Sequence, residues 1–421
     1  MNKVASSNKV ELSPALADQR IPDGRDFLSR DEVAQLNGPE LVRRIKALQP
    51  LIASRAAESE KLRRPSDEVW SALRASGIFY LMVPKRFGGL ELDLDTFIDV
   101  GMAISEADAS TGWNATFCIE HNWILSFWPI KAQEEIWNGK FPYLIASYTA
   151  NPPGKAVPVE GGYRVSVHWK WASGCMHADW VMGIAFLERE GQEPLALSVL
   201  VPATEVRILD TWFMNGMSGT GSNDVEFNDV FVPQHRAAPD IFRGGSAGQR
   251  EHKNPMYSLP LLSFLALAGS IPVIGATRSL VKMYYERVKS QKRTFSPTVS
   301  MEKPQTQHRL ARVDLNARAA ELMVRDSARR MMVWATLPEQ EQRAERIAIR
   351  AQISQAIALC RDTAMMIVEG AGTTAHAEGS PFNRAMRDII TMSTHLVFEY
   401  DVSMEQHGRA MLGLEPNSFL I

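Results

Sequence analysis

The spacing of apolar positions changes period twice along this chain. From Glu40 onward Leu41, Val42, Ile45, Leu48, Leu51 and Ile52 recur at helical spacing, with Pro50 placed to kink or end the helix. Ser66 stands as an N-cap ahead of Asp67 and Glu68, and the helix it starts runs through Val69, Trp70 and Leu73 to a stop at Gly77. Pro84-Lys85-Arg86-Phe87-Gly88-Gly89 is a breaker cluster and so a loop, after which residues 94–136 read as further helices. Near Phe141 the texture changes. The runs 143–149, 163–171, 180–187, 195–201 and 224–232 are short and rich in β-branched or aromatic residues. Turn clusters such as Asn151-Pro152-Pro153-Gly154 and Gly161-Gly162 separate them, which predicts an antiparallel β domain. Beyond about Pro239 the helical period returns over 257–291, 304–335, 341–369 and 384–412, enough for a four-helix bundle.

The expected chain is therefore mainly α with a central β domain. An N-terminal helical domain (1–140) is followed by a middle antiparallel β-barrel (141–239) and a C-terminal helical bundle (240–421). Residues 1 to about 35 are polar and irregular, as in a loosely held arm. The clearest strand is 163–171, where Tyr163, Val165, Val167, Trp169 and Trp171 alternate with Arg164, Ser166, His168 and Lys170. It runs into Ala172-Ser173-Gly174. There a small hydroxyl residue beside a glycine lets backbone and side chain approach something flat, next to two tryptophan faces. An edge strand closing on a turn gives the same pattern.

Composition narrows the classes. At 421 residues the chain can bury a large core, and 45% hydrophobic with 22% charged residues is ordinary for a globular protein. A formal net charge of −2 gives no global field for nucleic acid or an anionic membrane. Cys118, Cys175 and Cys360 are widely spaced and in no CxxC pattern, which suits a reducing cytoplasm rather than a disulfide framework or zinc site. The N-terminus has no apolar signal-like core. Leu259–Ala276 carries no charge over 18 residues, but Pro260, Ser263, Ser270 and Pro272 interrupt it, so a helix buried on all sides is expected rather than a membrane span.

The common catalytic signatures are missing: there is no GxSxG, HExxH, Walker loop or strand-bound GxGxxG. No two of the nine histidines stand one helical turn apart, so no metal site is expected. Other markers occur in a fixed order: Pro84-Lys85 with Gly88-Gly89, WASGCMHADW, Gly219-Thr220-Gly221-Ser222, Phe231-Val232-Pro233, Arg384 with Arg387-Asp388, and the ending GRAMLGLEP. With the order of domains, they resemble the acyl-CoA dehydrogenase fold. Within it they resemble the two-component, reduced-flavin-dependent monooxygenases, such as the oxygenase component of p-hydroxyphenylacetate 3-hydroxylase.

That resemblance implies a homotetramer that takes reduced flavin (FMNH2 or FADH2) from a separate flavin reductase, binds molecular oxygen, and hydroxylates a small aromatic substrate through a flavin C4a-hydroperoxide. It assigns Ser173 to the hydroxyl near flavin N5, with Trp171 and Gly174 as surrounding surface and clearance, and Thr220 and Ser222 as polar contacts. Arg278, Arg293 and Phe295 fall where the fold reaches a flavin phosphate, although Arg293-Thr294-Phe295-Ser296 is tighter than the dehydrogenase R-x-x-F-G pattern. Ser147, His121 and the aromatic-rich region around Trp113 are implied substrate contacts.

The C-terminal region separates two activities. Fatty-acid-type dehydrogenases carry their catalytic glutamate eight residues after the Asp of the Arg-Asp pair. Here that position is Leu396, which cannot abstract a proton, while His395 beside it matches a hydroxylase histidine. Some dehydrogenases place the base elsewhere, so a dehydrogenase or flavin oxidase stays open, as does a scaffold that has lost the flavin.

Overall fold

The computed structural model describes residues 27–139, 142–239, 241, 245–290, 299–334 and 336–418. The N-terminal part holds six helices among the described residues: α1 (Arg30–Ala34), α2 (Gly38–Leu62), α3 (Asp67–Ser76), α4 (Leu94–Ala107), α5 (Ala109–Leu125) and α6 (Ile130–Trp137). Asn37 caps α2 by accepting the Glu40 N–H at 3.0 Å. Pro50 does not end α2, because the buried stripe Leu41, Ile45, Ile52 and Ala56 continues on both sides of it and packing outweighs the lost hydrogen bond. Ser66 caps α3 and Gly77 closes it in the left-handed conformation, as the sequence predicts.

The seven strands are β1 (Ala146–Val159), β2 (Gly162–Trp169), β3 (Trp180–Arg189), β4 (Gln192–Pro202), β5 (Arg207–Leu209), β6 (Asp224–Pro233) and β7 (Ala237–Pro239). They form one sheet in the order β5-β6-β2-β1-β3-β4-β7. Three expectations need correction. The sheet is mixed, since β1 and β3 pair in parallel from Ala146↔Trp180 onward. Among the described residues no pair closes β5 onto β7, so it curls around a core of Val165, Trp169, Val199 and Val225 without sealing into a barrel. Asn151–Gly154 lies within β1 as a shift in pairing register, not as a turn between strands. The parallel pairing has a consequence for the site. Connector 170–179 must cross from the β2 side to the β3 side over the N-terminal end of β1, which leaves Ser173 and Gly174 against α5.

The C-terminal part comprises α7 (Leu261–Ser290), α8 (Pro304–Trp334), α9 (Glu339–Ala371), α10 (Pro381–Ser393) and α11 (Tyr400–Met411). α7 is long and apolar enough to cross a bilayer, yet 78% of its most apolar window is buried against its neighbours. The helix expected over 384–412 is broken. Between α10 and α11 the chain makes a single 3-10 turn, Leu396–Phe398. Val397 and Phe398 turn inward there, Phe398 onto Gly269 of α7, where a side-chain Cβ would lie 3.0 Å from the ring. A straight helix could not bury both and also expose Thr394 and Leu396.

Candidate active site

Asp108 starts α5 by accepting the N–H of Thr111 at 2.8 Å and its hydroxyl at 2.6 Å. The helix then presents Trp113, Phe117 and His121 at four-residue spacing, one aromatic ladder along one face. Ring centroids are 4.5 Å apart for Trp113 and Phe117 and 6.0 Å for Phe117 and His121. Trp113 is buried, donates its indole N–H to Ser173 Oγ at 3.2 Å, and meets the His395 ring edge-on at 5.4 Å. His121 Nδ1 lies 2.8 Å from Ala146 O. A carbonyl can only accept, so Nδ1 carries the proton and Nε2 is left as an acceptor. Burial lowers the His121 pKa to about 4, outweighing the Ala146 bond, so the ring is neutral at pH 7.

Connector 170–179 supplies a hydroxyl shelf. The alternation of β2 ends at Trp169, and Trp171 adopts φ 61° and turns out to 58% exposure instead of joining the buried face of Val165 and Trp169. Gly174 has φ 80°, a conformation that side chains disfavour. Ser173 Oγ is 2.7 Å from Ser222 Oγ, which is 2.8 Å from Thr220 Oγ1, which donates to Met217 O at 2.9 Å. Making all these bonds at once leaves one polarity. Thr220 donates to the carbonyl, Ser222 to Thr220, and Ser173 to Ser222. Ser173 Oγ already accepts from Trp113, so its remaining capacity is as an acceptor.

Helix α10 latches this shelf. Asp388 accepts the Met217 N–H at 2.5 Å, Arg387 bonds Asn215 O, and Gly216 lies where a Cβ would be 2.3 Å from Arg387 O. Met217 itself has φ 58°, and its carbonyl also receives the Trp212 indole N–H at 2.9 Å. Burial raises the Asp388 pKa to about 7, against the lowering effect of the Met217 bond. The Arg-Asp pair served only as a family marker in the sequence. Its structural work becomes legible once α10 lies against the 212–222 loop.

His395 lies in the break after α10 and not within a helix. Its Nδ1 accepts the Val397 N–H at 3.3 Å, which puts the proton of the neutral ring on Nε2. The residue is exposed, its ring lies edge-on to Trp113 and Phe398, and desolvation by these neighbours favours its neutral form. Leu396 is 60% exposed, so a hydrocarbon side chain occupies the dehydrogenase base position.

Trp113, Ser173, His395, His121, Thr220 and Ser222 are thus linked by direct contacts through the α5 ladder and the shelf, with Trp171 and Gly174 on the connector that carries Ser173. Ser147 is placed differently. It is buried with Oγ unpartnered and pairs in register with Val181 of the sheet core, on the opposite face of β1 from Tyr148. Tyr148, unmarked in the sequence, is the residue whose ring is 6.2 Å from His121. Arg278 stands apart from this cluster. It pairs with Glu106 at 3.0 Å and Glu321 at 3.2 Å and lines a separate groove between α7 and α8, of about 860 Å³, with Tyr285 and Gln307. Arg293 and Phe295 lie outside the described residues.

Comparison with known proteins accords with this geometry. The family described as "Acyl-CoA dehydrogenase, C-terminal domain" matches residues 267–400. A pigment production hydroxylase from Rhodococcus sp. is 37% identical over 89% of this chain and 97% of its own. The oxygenase subunit HsaA of a flavin-dependent monooxygenase from Mycobacterium tuberculosis is 30% identical over 92% of this chain and 99% of its own. In structure, XiaF from Streptomyces sp., solved in complex with FADH2 and glycerol, matches 92% of this chain and 98% of its own with a TM-score of 0.84 and 29% identity.

Proposed function

The chain belongs to the flavin-dependent monooxygenases of acyl-CoA dehydrogenase fold, and from that premise we propose that it is the oxygenase component of a two-component aromatic hydroxylase supplied with reduced flavin by a separate reductase. The observation that carries the reading is the one-way polarity of the Thr220–Ser222–Ser173 hydroxyls. A reduced flavin carries a hydrogen at N5, and an acceptor-only Ser173 Oγ suits it, whereas oxidised flavin offers N5 as an acceptor and would leave two acceptors facing each other. The exposed Trp171 indole beside Ser173 gives a flat apolar face for an isoalloxazine ring. The residues present therefore fit the group.

Reduced flavin, when bound, supplies the two electrons with which one oxygen atom is reduced to water while the other enters the ring. The protein's part is binding, orientation and proton handling. His121 Nε2 is an acceptor suited to hold a substrate hydroxyl or N–H proton, and His395 Nε2–H is a donor at the cleft, so two neutral imidazoles offer opposite functions. Phe117 and Trp113 supply the apolar walls. A dehydrogenase of the fatty-acid type needs a carboxylate at the position that Leu396 fills.

A homotetramer in a reducing cytoplasm is the assembly and compartment we assign. Leu315 and Leu322 on α8, at 64% and 65% exposure, are apolar side chains that a second copy would cover, and the three cysteines are free and buried. The deciding experiment mixes the protein with chemically reduced FMN or FAD under anaerobic conditions, measures binding, and then admits oxygen with an aromatic substrate. Tighter binding of reduced than oxidised flavin, with hydroxylated product, supports the reading. Equal binding and no product defeat it.

A further inference from the structure

The aromatic ladder of α5 carries one group that the reaction outlined above leaves unused. Glu120 follows Phe117 by three residues and Trp113 by seven, so it shares their helix face, two turns or about 10 Å along the axis from Trp113. Helical side chains lean toward the N-terminus, which brings its carboxyl back over the Phe117 turn. It is 1% exposed, makes no hydrogen bond, and its Oε1 is fully buried without a partner. Such a group costs folding free energy, and a carboxyl left unsatisfied in the core is a specific departure from how proteins treat polar atoms.

Its surroundings define what could satisfy it. The contacts of Trp113, Phe117, His121, Tyr148 and His395 include no Lys or Arg among the described residues. Burial alone raises the Glu120 pKa well above the carboxylate range, and no charged neighbour acts on it or on His395. Burial favours the neutral acid, which has one O–H to donate and one carbonyl oxygen to accept. Glu120 thus lies on the α5 face that carries Trp113 and Phe117, one residue before His121, and the described contacts of these aromatic residues bring no cation to that face.

We infer that Glu120 is a substrate-recognition residue that hydrogen-bonds a second hydroxyl or a ring N–H of an uncharged aromatic substrate, and that aromatic acids are excluded. This rests on the hydroxylase reading for the identity of the pocket. An aromatic carboxylate would enter without a cation to pair with, while a neutral ring bearing two hydrogen-bonding groups satisfies both Glu120 and the His121 end.

The test is equilibrium binding, without turnover, of phenol, the three benzenediols, indole and 4-hydroxybenzoate to the full-length protein and to Glu120→Leu and Glu120→Gln. Wild type should bind at least one diol or indole about tenfold more tightly than phenol, the size of one well-made hydrogen bond, and should bind 4-hydroxybenzoate most weakly. Glu120→Leu should erase the preference over phenol and leave reduced-flavin affinity and melting temperature equal to or above wild type. Glu120→Gln, which keeps a donor and an acceptor, should retain it. The inference is overturned if no diol or indole outbinds phenol in wild type, if Glu120→Leu keeps the preference, or if its melting temperature falls, which would mark a core role. Protein that binds a diol through Glu120 but forms no product would refute the hydroxylase reading and leave this inference standing. Hydroxylation with diol binding indifferent to residue 120 would do the reverse.

Discussion

Trp113 donates its indole N–H to Ser173 Oγ across 3.2 Å, and the same ring meets the imidazole of His395 with centroids 5.4 Å apart. Two residues more than two hundred positions apart in sequence are joined by one side chain of α5. The proposed flavin side of the cleft and its proton-donating side are therefore not independent, and a change at the tryptophan should be felt by both.

Trp113→Phe keeps an aromatic wall and removes the N–H. We expect a loss of about 1 kcal/mol of stability. Ser173, relieved of one donor, should hold N5–H less specifically, so more of the reducing equivalents should appear as hydrogen peroxide. The ratio of hydroxylated product to peroxide measures this, and an unchanged ratio would count against the bridge.

Asp388→Ala removes the acceptor that holds the Met217 N–H and hence the shelf of Thr220 and Ser222. Losing a hydrogen bond of this kind costs about 1–3 kcal/mol, and part of it should appear as roughly tenfold weaker reduced-flavin binding. Asp388→Asn, which keeps an acceptor oxygen, should recover most of that affinity. Calorimetric titration under anaerobic conditions separates the two.

Arg350 is buried, donates to Val397 O at 3.0 Å, and has Nε and Nη1 unpartnered. Burial lowers its pKa to about 10, a sign of how unfavourable the site is for a cation. Arg350→Met should leave the melting temperature unchanged or raise it, because a buried charge with unmet hydrogen bonds is replaced by an apolar chain. It should also loosen the turn that carries His395, and product formation per flavin oxidised should fall. A fall in melting temperature with full coupling would refute both halves.

His121 has a folded-state pKa depressed from 6.5 to about 4. As pH falls below about 6.5 the unfolded chain takes up a proton that the folded site refuses. The neutral ring's contribution is thus complete above pH 6.5 and is lost progressively toward pH 4, by up to about 3 kcal/mol. His121→Gln, which can still donate to Ala146 O, should show less acid sensitivity than wild type over pH 4–6.5 in denaturant titrations. Parallel curves would show that the folded His121 ring titrates as it does in the unfolded chain, with no depressed pKa.

Local signals were enough for much of this structure. Ser66 and Gly77 bound α3 as their chemistry demands, and the helix–sheet–helix succession follows the change of hydrophobic period. What the sequence hid were matters of pairing and breakage. Nothing local distinguishes a parallel from an antiparallel neighbour for β1, yet that choice sends connector 170–179 across α5. The heptad-like run through 384–412 conceals a break, because Val397 and Phe398 obey helical spacing and are drawn inward by α7 instead. Trp171 was legible as an aromatic beside Ser173, but its left-handed backbone, and so its exposure, was not. Tyr148 and the Arg387-Asp388 latch acquire roles only from partners far away in sequence.

The most direct test of the joined cleft is a single-turnover comparison of His395→Ala and wild type, following reduced-flavin binding, flavin oxidation by oxygen, and yield of hydroxylated aromatic product. The account predicts that His395→Ala binds reduced flavin as wild type does and consumes oxygen, while hydroxylation slows about a hundredfold or more and peroxide takes its place. Hydroxylation at the wild-type rate, or loss of flavin binding and hydroxylation in equal measure, would contradict it.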